Sequence, residues 1–436
     1  MKLEIGNFHV KDIQFGPVTS FKDGILTVNR EEAMAALNPD GKLKHVQLHI
    51  ARPGEQVRIL PVKEIVEPRA RPDGRAAFPG NTGPTVLCGE GVVHALKDMA
   101  VIAVGKYGGW MEGVLDMSGP GAEVTPFSQL VNLCFTAENT DPAEDPGSQH
   151  MNLNYRRGAL LLAEYLAQAT IGQTPQDWER FELTEVEDKT LPRVALVVQI
   201  SAFYEKNDGF CDELYGVDTR LMMPTLLHPN ELLDGALTFG SLISAGKHTY
   251  TYGYQNFPIL KRLYEEHGKT LRFVGVIAGD DPSSNLKIDR SAVRTTAMAK
   301  LLGCDGAIYY ETGDGACDVS FFKTLACLED HGIATVGVTN ETPGHDGTTQ
   351  VKVVLNHQAK SMVVTGNSEN ILELPRMETV IGDLESLTRD SYPGCWADDP
   401  LYGPSVRPDG TLLVDQRAIS GSSGSTGWSY KTNKSF

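Results

Sequence analysis

Hydrophobic and polar positions change rhythm near the middle of this chain. Up to about residue 115 they alternate. The stretches LEIGNFHVKDIQFG, GILTVNR, HVQLHIARPG, QVRILPVKEIVEPRA and MAVIAVGKYGG follow this period of two, with Gly, Pro or Asp between them. The spacing predicts a small barrel or mixed sheet, interrupted by a short helix over 30–37. The loop over 69–84 carries Pro72, Gly74, Pro79, Gly80 and Gly83, which predicts a surface position. A helix with one apolar face follows over 152–170.

After the acidic segment 173–192 the rhythm is different. VALVVQI, LRFVGVIAG, GAIYYETG, ATVGVTNE and SMVVTGN are continuous apolar runs, and helical patterns separate them over 258–267, 291–302 and 320–331. Continuous apolar strands between helices predict a parallel sheet covered on both faces. The fold class is therefore α/β: a mostly-β N-terminal domain with a helical end over 1–185, then a doubly wound α/β domain over 190–436. The Ser/Gly-rich tail 421–436 bears Trp428, Tyr430 and Phe436, and reads as a frayed end or an arm for a partner.

Composition narrows the function classes. The formal charge of −17 disfavours nucleic acid and anionic membranes as partners. No run approaches the ~20 apolar residues a bilayer-crossing helix needs, and MKLEIGNFHV has no apolar export core. The seven cysteines form no CxxC pair, so reduced thiols and a cytoplasmic location are expected. No Walker A, strand-linked GxGxxG, GxSxG or HExxH occurs.

In doubly wound sheets ligands bind beyond the carboxyl ends of the strands. Two expected strands end there in acidic loops, one with Glu311, Asp314 and Cys317, the other with Glu341, His345 and Asp346. Carboxylates with an imidazole suit a divalent cation such as zinc or manganese, with Glu311, Asp314, His345 and Asp346 as ligands. The same residues equally suit helix capping. His228 and Glu231 open a helix-like run, as general base or as packed support. Cys317 is the thiol best placed to react. On the substrate side stand Ser241, Ser244, Tyr254 and Asn256 of the stretch 228–258, and His49, Arg52, Glu90 and His94 of the first half. Glu90 and His94 share a side on either an extended or a helical chain. For Arg52 and its neighbours an ion-paired loop is the plainer reading.

Taken together, LEIGNFHVKDIQFG, HIARPGEQVRILPVKEIVEPR, GEGVVHALKDMAVI, LDMSGPGAEVTPFS, YGVDTRLMMPTLLHPNELLDGAL, the QNFPI close, HGKTLRFVGVI and TPGHDG resemble one family. It is the proprotein subunit of component B of the glycine, sarcosine and betaine reductases, with a more distant resemblance to the D-proline reductase proprotein. The resemblance implies cleavage at a Cys in the small-residue stretch, a pyruvoyl group at the new N-terminus, and a selenoprotein partner subunit that completes reductive C–N cleavage. This chain departs from that pattern. The Asn-Cys pair falls on Ser241-Leu242, a second Cys falls on Gly246, and an Arg falls on His345. Leucine has no nucleophile, so a pyruvoyl group is not expected unless Ser241 or Ser244 replaces the Cys.

The leading expectation is then a metal-assisted hydrolase of a small amide, cyclic amide or related amine-derived compound, working as a hetero-oligomer beside a second subunit. Two alternatives stand beside it. One is a substrate-binding subunit that acts reductively, and the other is a binding subunit without chemistry.

Overall fold

The structure is a computed structural model of the chain. It describes residues 1–106, 112–141, 150–203, 210–240, 243–282, 284–354, 356, 359–384 and 405–428. Ser241, Leu242, Cys395, Tyr430 and Phe436 lie outside the described residues.

The alternating segments of the first half build two larger sheets and a small one of Asp12–Phe15, Ile25–Val28 and Ser20–Lys22. One larger sheet has the order Asp177–Glu182, Lys2–His9, Gly91–Lys97, Arg69–Ala70. The other runs Gly113–Asp116, Val57–Val66, Met99–Val104, Val131–Asn139, Leu43–Ala51, with Thr379–Gly382 added in parallel beside Val57–Val66. The helix Arg30–Leu37 starts where its sequence directs. Asn29 accepts hydrogen bonds from the Glu31 and Glu32 amides at 3.0 and 3.2 Å, and both glutamates sit in the first turn.

The second half forms the expected parallel sheet. Its core order is Arg272–Asp281, Arg193–Phe203, Gly306–Tyr310, Ala334–Glu341, Met362–Asn367, with Thr225–Leu227 antiparallel at the edge. In chain order the parallel strands read 2-1-3-4-5, so the connections change direction around the first strand. Its side chains explain the continuous apolar run. Leu196, Val198 and Ile200 enter one core with Leu260, Leu263 and Tyr310. Ala195 and Val197 enter another with Tyr309, Phe321 and Leu325 of the helix side. Both faces are buried, so no polar alternation is required. The first of these cores also holds Leu3, Ile5, Ile59, Val62 and Ile65.

Two stretches differ from their sequence expectation. The loop 69–84 does not stay on the surface. Ala76, Ala77 and Phe78 are buried, and the loop meets the second half backbone to backbone. A Cβ on Gly80 would stand 2.0 Å from the Tyr215 carbonyl oxygen, so only glycine allows the crossing there. The tail is neither frayed nor an arm as far as Trp428. Ser420, Ser422, Ser423 and Ser425 are buried, and the Gly421 and Ser423 amides donate to the Ala245 and Gly246 carbonyls at 3.0 and 2.8 Å. The segment is a strap across the small-residue stretch. Among the described residues, no helix is long and apolar enough to cross a membrane.

Candidate functional site

The carboxyl ends of the parallel strands hold a buried charge cluster. Glu311 leaves the strand Gly306–Tyr310 directly into it. Its Oε2 accepts from Lys352 Nζ at 2.7 Å and Lys247 Nζ at 3.1 Å, and from the Thr339 hydroxyl. Lys247 also donates to the Gly313 carbonyl and lies 3.2 Å from Asp314, while Lys352 donates to Asp318 at 2.9 Å. Burial would push the Glu311 carboxyl up, but Lys247 and Lys352 outweigh it and hold the group ionised, below the usual carboxylate range. The carboxylates around Lys247 in turn keep that amine protonated despite its burial.

Each part comes from a different element. Lys247 ends the short helical turn Ala245–Lys247 under the Ser-rich strap. Gln199 of the first parallel strand fixes the loop after Tyr310: it accepts from the Thr312 amide at 2.9 Å and donates to the Cys317 carbonyl at 3.1 Å. Lys352 arrives from the segment after Ala334–Glu341, and beside it an open cleft of about 540 Å3 is lined by Phe322, Asn340, Glu341 and Val351. The cluster thus lies where the strand order reverses, the usual ligand position in such a sheet.

Several buried polar atoms here have no partner. They include Glu311 Oε1 and the hydroxyls of Ser244, Ser423 and Ser425, each residue at most 7% exposed. Buried polar groups are normally paired, so a set of unpaired ones at a sheet's ligand end makes this the candidate binding site.

The residues expected from sequence are distributed unevenly. Glu311, Asp314 and Cys317 meet in the cluster with Ser244 nearby on the same stretch as Lys247. Burial and the neighbouring Asp281 push the Cys317 thiol well above its usual range, so it stays a thiol. His345 turns instead to Asp415, at 2.6 Å, and Asp346 is a solvent-side cap accepting from the Thr348 amide at 3.0 Å. Glu341 ends its strand at the cleft. The expected metal set is not gathered, and among the described residues no group of three or more His, Cys, Asp or Glu is placed to hold an ion.

The remaining candidates are committed elsewhere. His228 caps the helix Pro229–Leu233, its Nδ1 accepting from the Asn230 amide at 3.2 Å while Glu231 accepts from the His228 amide at 2.6 Å. Burial lowers the His228 imidazole to about 4, and Glu231 also accepts from the Tyr215 hydroxyl. Tyr254 donates to Asp212 at 2.9 Å, and Asn256 donates to Glu67 at the same distance. His49 meets Thr136 on one sheet and His94 meets Thr170 on the other. Arg52 is paired with Asp12 at 2.7 Å, and Glu90 supplies its carbonyl to Arg71.

Sequence reasoning missed Lys247, Lys352 and the strap serines. Lys247 did leave a signal, as a lone lysine beside a run of small residues.

The comparison with known proteins gives the family of this α/β chain. The chain belongs to the glycine/sarcosine/betaine reductase component B subunits, whose family pattern matches residues 1–434. It is 43% identical to the betaine reductase complex component B subunit alpha of Peptoclostridium acidaminophilum, over the whole of both chains. The glycine reductase complex component B subunits alpha and beta of Acetoanaerobium sticklandii are 35% identical, again over both whole chains. The sarcosine reductase complex component B subunit alpha of P. acidaminophilum is 33% identical, over 93% of this chain and 96% of its own. No solved structure matches. These relatives overturn the hydrolase expected from the acidic loops: all are subunits of reductase complexes. Of the acidic residues that suggested a metal, Glu311 and Asp314 lie against two buried lysines.

Proposed function

We propose that this chain is the substrate-binding subunit of a multi-subunit reductase complex that cleaves the C–N bond of a small amino compound reductively. The observation that carries this reading is the family match along residues 1–434. The cluster at the carboxyl ends of the parallel strands supports it as the place of binding.

In this reading Lys247 and Lys352 hold Glu311 in position, and the hydroxyls of Ser244, Ser423 and Ser425 hydrogen-bond the substrate. The strap excludes water, which strengthens each of these contacts. In the reaction the C–N bond breaks, its electron pair leaves with nitrogen, and nitrogen takes up a proton. The carbon receives two electrons and a proton, and a dithiol or thiol–selenol pair of a second subunit is oxidised to the disulfide or selenosulfide.

Residues 228–258 contain no cysteine. The chain's own residues therefore do not fit a pyruvoyl group made by the cysteine route, and the substrate is held without a covalent bond. Intact-mass spectrometry tests this part: one species of full-chain mass is expected, and two fragments divided near residue 241 or 244 would overturn it.

The reductive reading is tested with the purified complex and glycine, sarcosine and betaine in turn. Nitrogen release is expected only when a dithiol is supplied, with one dithiol oxidised per nitrogen released. Release without thiol consumption would refute it.

A further inference from the structure

The helix Asn285–Leu301 and the sheet edge beside it form a surface that the binding scheme above does not use. The helix buries Ile288, Ala292, Thr295 and Ala299, spaced three and four apart, against the rest of the fold. The opposite face of such a helix is ordinarily polar. Here Leu286, Val293 and Leu301 stand on it, exposed.

The edge strand Thr225–Leu227 packs beside this helix. Leu226 pairs opposite Ile277, which belongs to the core on the helix side, whereas Leu227 enters the core of the other face. Leu226 therefore lies on the helix side of the edge, and it too is exposed. Leu221 and Met223 precede it, and the antiparallel register carries them toward the Asp281 end of the sheet. Leu221, Leu286 and Leu301, at 85%, 85% and 81%, are the most exposed large apolar side chains among the described residues. Scattered ones are ordinary, but a set gathered on two adjacent elements marks an interaction surface.

The charge of this helix sets it apart from the chain. It carries Lys287, Arg290, Arg294 and Lys300 against one carboxylate, Asp289, which pairs with Lys323 of the helix Ala316–Asp330. Arg290, Arg294 and Lys300 are exposed, whereas the chain as a whole is −17. A basic face on an acidic protein selects an acidic surface to meet it. The helix begins just beyond Asp281, so Leu286, Leu221 and Met223 stand at the carboxyl ends of the parallel strands, the end that also holds Lys247 and Glu311.

We propose that the outer face of Asn285–Leu301, with Leu221, Met223 and Leu226, docks the second subunit of the complex, through a surface of that subunit with an apolar centre and an acidic rim. This rests on the proposed function, which draws electrons from another chain, and assigns where that chain sits. A second copy of this chain fits less well. Pairing the face with itself about a two-fold axis sets its four cations against their own copies.

The test separates the subunits of the purified complex and recombines them in sedimentation velocity, at about 0.05 M and about 0.5 M salt. Two double variants of this chain are compared with wild type, Arg290→Glu with Arg294→Glu and Leu286→Asp with Val293→Asp. Lys189→Glu, at an exposed cation of the linker, controls for net charge. Each double variant is expected to weaken association at least ~10-fold, and the charge reversal to remove most of the salt dependence. Melting should be unchanged in both, because every altered side chain is exposed, and Lys189→Glu should assemble as wild type does.

Wild-type affinity in both double variants would overturn the inference. So would self-association of the isolated chain that the same changes abolish, because the face would then belong to a second copy. Assembly lost in the variants, with nitrogen release by the wild-type complex that consumes no dithiol, would refute the proposed function and leave the docking face standing. Dithiol-dependent release together with variants that assemble normally would do the reverse.

Discussion

Two sets of buried charges can be compared in this chain. In the N-terminal sheets buried charges meet one another in close pairs. Arg58 grips Asp116 with two nitrogens at 2.7 and 2.8 Å, Lys63 meets Glu112 at 2.7 Å, and Glu67 receives Arg69, Lys97 and Asn256. At the carboxyl ends of the parallel strands the charges are just as deep, yet carboxylate and hydroxyl oxygens are left over at Glu311, Asp281, Ser244, Ser320 and Ser423. Depth alone does not separate a structural network from a binding site. The N-terminal half also leaves single atoms of Asn7, Arg71, Asn132, Asn152 and Glu179 over, but each of those side chains bonds through another atom, whereas the Ser244 and Ser423 hydroxyls at the strand ends bond nothing.

The comparison can be broken most forcefully at Arg58. Arg58→Leu leaves Asp116 buried without its cation and should cost about 3–5 kcal/mol in chemical denaturation, and the further change Asp116→Leu should restore most of it. Glycine binding by the folded fraction should be unchanged. Glu311→Gln should show the opposite profile, a smaller loss of stability and a fall in nitrogen release on the order of 100-fold in the reconstituted complex. If Arg58→Leu abolished binding in folded protein, the two networks would not be separable.

The strap offers a sharper, smaller test. A Cβ on Gly246 would stand 2.8 Å from both the Ser422 and Ser423 hydroxyls and 3.0 Å from Arg417 Cα. Gly246→Ala should therefore destabilise by about 1–3 kcal/mol and weaken ligand binding as the strap is displaced. Unaltered melting and binding would show that the strap yields freely.

A pH series probes the closed side. Burial raises the Glu64 carboxyl from its ordinary 4.5 to about 8. Between those values the folded chain keeps a proton that the unfolded chain has released. Stability should fall as pH rises through this window, by at most ~1.4 kcal/mol per unit, and level off above it. Glu64→Gln should flatten that slope; an unchanged slope would assign it to other groups. The smallest effect is expected at Asp346→Ala, within about 0.5 kcal/mol by denaturant midpoint, because its carboxylate serves only an exposed turn.

Much of the fold was legible because it is local. Alternation marked the first sheets, and continuous apolar runs marked the parallel strands. The site was half legible. Glu311 and Asp314 could be placed at a strand end from pattern alone, since the sheet type fixes where ligands bind. Their meaning could not. A carboxylate that ligates a metal and one that neutralises a lysine look the same in a sequence, and Lys247 and Lys352 lie 64 and 41 positions away from Glu311. His228, open in sequence between general base and packed support, is the latter: His-Pro-Asn-Glu is a complete helix cap, satisfied within four residues. The loop 69–84 and the strap escaped because small and polar residues mark exposed turns and close backbone crossings alike.

Ligand-difference hydrogen exchange on the intact protein, with and without saturating glycine, tests the central claim most directly. The account predicts slowed exchange over 243–249, 311–318 and 419–426, with no change over 57–71 and 112–116. Protection around His49, Glu90 and His94 with none at the strand ends would contradict it and move the site to the N-terminal sheets.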